Sequence, residues 1–197
     1  MLQRLYPNFV WNIPNNEQAV FLTFDDGPHP EITPKVLALL KQHNAKATFF
    51  CVGENAKKHP EIITQILEEG HSLGNHTHNH LHGFKTSIEK YLENVDECAK
   101  HITSKLFRPP YGKLTRKQGR ALIQKGYKII MWDILSYDFD KTLSPERCAE
   151  NVTKHLKSGS IVIFHDSEKA EKNMLYTLEK TLLVCSTNKL DCKAIKF

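Results

Sequence analysis

No apolar run in this 197-residue chain is long enough to cross a bilayer, which excludes a membrane-spanning helix on sequence grounds. A leader pattern is missing as well. Between Met1 and Asn15 there is no basic start followed by an unbroken apolar stretch, because Pro7, Asn8, Asn12 and Pro14 interrupt it. Taken literally, this reads as a cytoplasmic protein, unless a leader was removed or export uses another route. Long basic runs are also absent: the net charge of +5 is spread over short pieces such as Lys57-Lys58 and Arg116-Lys117. That spread speaks against a nucleic-acid partner and leaves only a weak attraction to anionic polymers or a peripheral contact with a membrane surface.

CxxC pairs are lacking, and the 5 cysteines (Cys51, Cys98, Cys148, Cys185 and Cys192) make an odd count. Neither a disulfide framework nor a thiolate zinc site fits. Cys51 lies in an apolar run and reads as a buried small hydrophobe. Cys185 and Cys192 could pair, a question the sequence leaves open. Linkers, repeats and low-complexity segments are missing too, so one domain over residues 1–197 is the simplest organisation.

What the chain does have is an alternation of short apolar runs with amphipathic stretches. Strands are expected at Ala19–Phe24, Ala47–Val52 (closed by Gly53), His71–Gly74, Tyr127–Trp132 and Ser160–Phe164, with a short one at the C-terminus. Between them, helices are expected at Thr33–His43, Pro60–Glu69, Ser87–Ile102, Thr115–Lys125, Ser144–Leu156 and Lys169–Ser186, several opened by a capping Ser or Thr. Phe107 reads as the start of a proline-rich loop. This alternation predicts a parallel α/β sheet or barrel. In such folds functional residues gather at the C-terminal ends of strands. Asp25 and Asp26 follow one expected strand, His76 another, Asp133 and Asp138 a third, and His165 a fourth.

The densest chemistry lies in Thr23-Phe24-Asp25-Asp26-Gly27-Pro28 and in His76-Thr77-His78-Asn79-His80. One carboxylate and two imidazoles can hold a divalent ion with a coordination position left open, and a second carboxylate can take a proton from water there. Asp-Asp-Gly-Pro is also good turn chemistry by itself, and a histidine-rich loop can be mere solvated polarity. His76 and His80 stand four apart, a spacing that brings two rings to one side of a helical turn, while His78 should point elsewhere.

These blocks resemble the polysaccharide deacetylase family, the NodB-homology group or carbohydrate esterase family 4. Further blocks follow in the family's order: Arg108-Pro109-Pro110-Tyr111-Gly112, the stretch from Trp132 to Phe139, and Ile161-Val162-Ile163-Phe164-His165-Asp166. The resemblance implies a distorted, incomplete (β/α)7-type barrel with its groove at the strand C-termini. It also implies a metal-dependent enzyme that removes N-acetyl groups from an amino-sugar polymer or oligosaccharide such as peptidoglycan or a chitin-like glycan. Asp26, His76 and His80 would bind one divalent ion, usually zinc, with cobalt, nickel or manganese preferred by some members. Asp25 would be the general base and His165 the general acid. Arg108 would keep Asp25 ionised and oriented, Asp138 would do the matching service for His165, and the backbone N–H of Tyr111 would help hold the oxyanion.

One block departs from the family's pattern. With Asp138 aligned to the second aspartate of an Asp-x-x-Asp-Trp motif, Leu135 stands in place of the first and Phe139 in place of the tryptophan. Phe139 can still wall an acetyl methyl or a sugar face, without an indole N–H. Asp133 is a candidate to compensate for Leu135, and Trp132 reads as core. The Asn-x-Thr strings at Asn75 and Asn151 read as coincidence. Competing readings keep the fold but change the substrate (O-acetyl xylan, another amide, a lipid-linked formylated amino sugar), reduce the chain to a glycan-binding domain, or make it a metal-free glycosidase, which leaves the histidines unexplained.

Overall fold

Strand β1 (Ala19–Asp25) is buried along its whole length, as an apolar run must be when both faces of a parallel sheet are covered. In the computed structural model, which describes residues 6–197, it pairs in parallel with β2 (Ala47–Cys51) on one side and β7 (Ile161–His165) on the other. Beyond β2 come β3 (Ser72–Asn75), β4 (Leu106–Phe107) and β5 (Lys128–Ile129), while β6 (Ile134–Leu135) lies beyond β7. The order β5-β4-β3-β2-β1-β7-β6, with β8 (Asp191–Cys192) joined to the start of β1, gives a curled half-barrel, as the sequence predicts.

The helices are α1 (Ile32–Gln42), α2 (Gly53–Lys58), α3 (Pro60–Glu68), α4 (Ile88–Ala99), α5 (Arg116–Gln124), α6 (Pro145–Thr153) and α7 (Glu171–Thr187). Their ends follow local chemistry. Ser87 and Ser144 accept from the backbone N–H groups of Lys90 and Arg147, and Thr115 forms a capping box with Gln118. Pro60 opens α3, and Gly70 turns left-handed at φ 81° just past its end.

Alternation along β1 sorts its side chains. Leu22 and Phe24 pack with helical residues such as Val36, Leu40, Met174 and Leu178. Phe24 stacks between its register partners Phe49 and Phe164, with ring centroids 5.0 and 5.4 Å away. Burying aromatic rings of this size contributes much of the core energy. Thr23 and Asp25 take the opposite, concave face. Strand packing therefore aims a carboxylate into the half-barrel.

Several expectations need correcting. Phe107 lies in strand β4, too short at two residues to show a period. Gly53 opens a helix instead of only closing a strand: a Cβ there would come within 2.6 Å of His78 Nδ1 and 2.8 Å of Cys98 Cα, so close packing requires glycine. The strand expected at Tyr127–Trp132 is only Lys128–Ile129, and α4 stops at Ala99 short of Ile102. Asp133 and Asp138 do not leave one strand together, because β6 intervenes. All five cysteines are free thiols, Cys51 buried as expected and Cys185 unbridged to Cys192. Residues 1–5 of the segment scanned for a leader lie outside the described residues, and among the described ones no helix is long and apolar enough to cross a membrane.

Candidate metal centre and active site

Asp25 and His165 are the last residues of neighbouring strands and are paired in register, so β1 and β7 deliver a carboxylate and an imidazole side by side. His76 and Arg108 leave β3 and β4 at the same end of the sheet. After Asp25 the chain turns sharply: Asp26 adopts φ 82°, a left-handed conformation that costs a non-glycine residue energy. The turn separates two adjacent carboxylates. Asp25 is buried, whereas the Asp26 side chain is 31% exposed toward a cavity.

Around Asp26 the donor atoms converge. The ligand-offering atoms of Asp26, His76 and His80 all lie within 4.8 Å of one another. Nε2 of His80 is 3.1 Å from Asp26 Oδ1, and Nε2 of His76 is 3.7 Å from the same oxygen. His76 is anchored from behind, since its Nδ1 lies 2.8 Å from the carbonyl oxygen of Arg108 and can donate to it. That bond fixes the tautomer and leaves the Nε2 lone pair facing Asp26, the usual arrangement of a metal-ligating histidine. Burial pushes the His76 pKa down, keeping the ring neutral. Desolvation works the other way on Asp26, but the His80 hydrogen bond and the nearby His165 and His76 hold it well below the usual carboxylate range. Two imidazole nitrogens and one carboxylate fit a divalent ion with an open position.

The spacing argument for His76 and His80 succeeds for a different reason than expected. Residues 76–80 are a loop, not a helical turn, and left-handed Thr77 (φ 62°) and His80 (φ 54°) fold it back. Asn75, fully buried, accepts from Thr77 N–H at 2.9 Å and donates to Val95 O at 2.9 Å. No glycan fits on that side chain. His78 turns away to lie beside His101, at 5.8 Å between ring centroids.

The two groups expected to move protons, Asp25 and His165, are each held by a partner. Arg108, fully buried, donates from Nη1 to Asp25 Oδ1 at 2.8 Å. The same guanidinium also serves the Thr23 hydroxyl and the carbonyls of Ile130 and Met131, and it lies 4.2 Å over the Phe50 ring. This is no surface ion pair. Asp138 holds His165 twice: Oδ1 lies 2.7 Å from Nδ1, and Oδ2 accepts the backbone N–H at 2.9 Å. Burial would lower the His165 pKa, but the Asp138 charge and hydrogen bond, with help from Asp26 and Asp25, raise it to about 9.

A cavity of about 390 Å³ is lined by Asp25, Asp26, His76, His80 and His165, with Tyr111, Trp132, Leu135 and Phe139 among its other walls, while Arg108 and Asp138 stand behind it. Tyr111 is left-handed at φ 59° and packs edge-on to His80 at 4.5 Å. Trp132, expected in the core, packs partly buried against it and also lines the cavity, near enough that a Cβ on Gly112 would meet it at 2.7 Å. Asp133 does not compensate for Leu135. Its carboxylate accepts from Ile161 N–H at 2.7 Å and from Ser160, at the opposite end of β7 from His165. Leu135 and Phe139 form an apolar wall, Phe139 edge-on to His165 at 5.1 Å.

Comparison with known proteins places the fold in a family. A family model described as polysaccharide deacetylase matches residues 12–130. The chain belongs to the polysaccharide deacetylase family. It is 39% identical to a peptidoglycan-N-acetylglucosamine deacetylase of Bacillus cereus over 181 residues, covering 88% of this chain and 84% of that one. A chitooligosaccharide deacetylase of Azorhizobium caulinodans is 32% identical, with 78% of this chain and 76% of the relative covered. Among solved structures, a peptidoglycan N-acetylglucosamine deacetylase in complex with an N-oxidanyl benzamide superposes with a TM-score of 0.92 at 30% identity, over 99% of this chain and 94% of the other.

One residue of this family member was given no role by its sequence. Asp166, buried directly after His165, accepts from Gly27 N–H at 3.0 Å and from the Thr33 hydroxyl at 2.5 Å. Burial pushes its pKa up to about 7 against those two hydrogen bonds, with Asp26 adding to the rise. Asp166 thereby ties the Asp25–Gly27 turn to the start of α1. A Cβ on Gly27 would lie 2.1 Å from its carboxylate oxygen, so the glycine after the acidic doublet was the available signal.

Proposed function

We propose that this protein hydrolyses the N-acetyl group of an amino sugar in a polymer or oligosaccharide, releasing acetate and a free amine. The observation that carries the reading is the registered pair Asp25 and His165, each with a buried partner, flanking the Asp26-His76-His80 cluster. Those three residues would hold one divalent ion, by our reading zinc. When bound, such an ion supplies Lewis-acid polarisation of the acyl oxygen and makes water more acidic.

Asp25, held by Arg108, takes a proton from the attacking water. The backbone N–H of Tyr111 donates to the acyl oxygen and stabilises the negative charge developing there. His165, protonated at neutral pH, gives its proton to the departing amine, and Asp138 keeps the resulting ring in place. Leu135, Phe139 and Trp132 offer an apolar wall for the acetyl methyl. Water is consumed and one amide C–N bond breaks, so the products balance.

The test is acetate release from chitooligosaccharides, peptidoglycan, acetylated xylan and lipid-linked amino sugars, with and without chelator. Release from the N-acetylated glycans that stops on chelation and returns with zinc supports the reading. Turnover of only the xylan ester or the lipid-linked sugar would replace it, and activity surviving full chelation would remove the metal.

A further inference from the structure

Helix α7 ends in a tight reversal. Lys189 turns left-handed at φ 55°, and the Leu190 N–H donates to the Cys185 carbonyl oxygen at 2.8 Å. Such a closure satisfies one of the last helical carbonyls and sends the chain back along the helix. Two residues on, Cys192 lies in β8, in register with Val20, and its carbonyl accepts from the Lys46 N–H at 2.9 Å. The reversal thus lays Cys192 beside Cys185 at the start of β1, the end of that strand remote from Asp25.

The two thiols are in hydrogen-bonding contact. The Cys192 S–H donates to the Cys185 sulfur, which lowers the pKa of Cys185 and raises that of Cys192. Both residues wall an open hollow of about 460 Å³, with His43, Ser186, Lys189 and Asp191 on its other sides. Cys185 is buried and Cys192 half-buried, so a reagent entering the hollow meets Cys192 first. The remaining cysteines are set differently. Cys51, Cys98 and Cys148 are buried, and each sulfur lies against a backbone carbonyl: those of Phe49 at 3.7 Å, Cys51 at 3.7 Å and Tyr137 at 3.6 Å.

We propose that Cys185 and Cys192 are a reversible modification site, closed to a disulfide by exchange with a small-molecule disulfide of the glutathione kind. The Cys192 thiolate attacks one sulfur of the reagent, whose S–S bond breaks and releases one thiolate. The Cys185 thiolate then attacks the Cys192 sulfur of the mixed disulfide, forming the internal bond and releasing the second thiolate. Two protein thiols are oxidised, and the reagent takes up their two electrons and two protons as two thiols. The new bond ties the last turns of α7 to β8, and through it to the start of β1. Because the loop it closes is short, the gain in stability is moderate.

The experiment treats the folded protein with oxidised glutathione or with dithiothreitol, then denatures it, alkylates the free thiols and maps the peptides by mass spectrometry. Thermal melts are recorded on the same samples before denaturation. Expected after oxidation is a peptide linked through Cys185 and Cys192, with Cys51, Cys98 and Cys148 all alkylated. The melting temperature should rise by about 5–10 °C and return when dithiothreitol is added. Cys192→Ser, a change at the half-buried position, should give neither the linked peptide nor the reversible rise. The mapping of the wild type decides the chemistry without any variant. Five alkylated cysteines after oxidation, a glutathione adduct that stays on Cys192 without closing, or a link to any other cysteine overturns the proposal. So does an equal rise in Cys192→Ser.

Discussion

Nη1 of Arg108 lies 2.8 Å from Oδ1 of Asp25, the guanidinium fully buried and the carboxylate opening only to the cavity. A buried pair of this kind is costly to break from one side, because the remaining charge is left without its counter-charge in a poorly solvated place.

Arg108→Met should therefore lower unfolding free energy by about 3–5 kcal/mol, measured by denaturant titration. Asp25→Asn should behave differently. It keeps the shape and leaves Arg108 bonded to Thr23, Ile130 and Met131. The variant should stay folded while acetate release falls roughly 10²–10⁴-fold. Near-normal release by Asp25→Asn would strip Asp25 of its role as base.

His165 is raised from 6.5 to about 9, chiefly by Asp138 overcoming the burial penalty. Its folded value exceeds the unfolded one. The stability it contributes is thus complete below about pH 6.5 and is lost as pH climbs through about 9. Asp138→Asn removes the charge that sustains the shift. NMR titration of the chelated protein should find the imidazole midpoint lowered, and the alkaline limb of kcat/KM should move to lower pH. An unmoved midpoint would show that Asp138 does not set the protonation of His165.

Zinc added to chelated protein should raise the melting temperature. At a hundredfold excess over Kd the stabilisation is about 2.7 kcal/mol, or roughly 5–10 °C for a domain of this size. Asp26→Ala, His76→Ala and His80→Ala should each reduce the shift sharply. His78→Ala should keep it, because that ring points toward His101. A shift that vanishes in His78→Ala but survives in His80→Ala would reassign the ligands.

Gly27→Ala tests the turn behind the acidic doublet. The added methyl would collide with an Asp166 carboxyl held by Thr33 and the Gly27 N–H. Overpacking at such a place costs about 1–3 kcal/mol, and displacing Asp26 should lower kcat/KM by tenfold or more. Thermal unfolding and steady-state kinetics measure the two effects. Wild-type activity in Gly27→Ala would mean that Asp166 does not position the turn.

Much of the site is legible from residue types placed at the ends of apolar runs. Asp25, Asp26, His76 and His165 stand at or just past the ends of runs that become strands, and a parallel sheet gathers such positions at one edge, whereas Arg108 follows a strand too short to read. The short elements are not legible. With two residues each, β4 and β6 carry no period, so Phe107 reads as loop and Asp133 as a neighbour of Asp138. Trp132 is half legible, because an apolar ring beside a strand can pack on the core and wall a cavity at once, as this one does.

The order of strands and helices, the caps at Ser87, Thr115 and Ser144, and the inventory of acids, imidazoles and one guanidinium follow from local pattern, because helix periodicity and capping depend on near neighbours. Only the folded chain decides how that inventory is divided. The left-handed turn at Asp26 sends adjacent carboxylates to different partners, and a buried Arg108 secures Asp25 while its carbonyl orients His76. Asp166 reaches across 139 residues to brace Gly27. Contacts of that range depend on how the sheet curls, and no stretch of sequence encodes them locally.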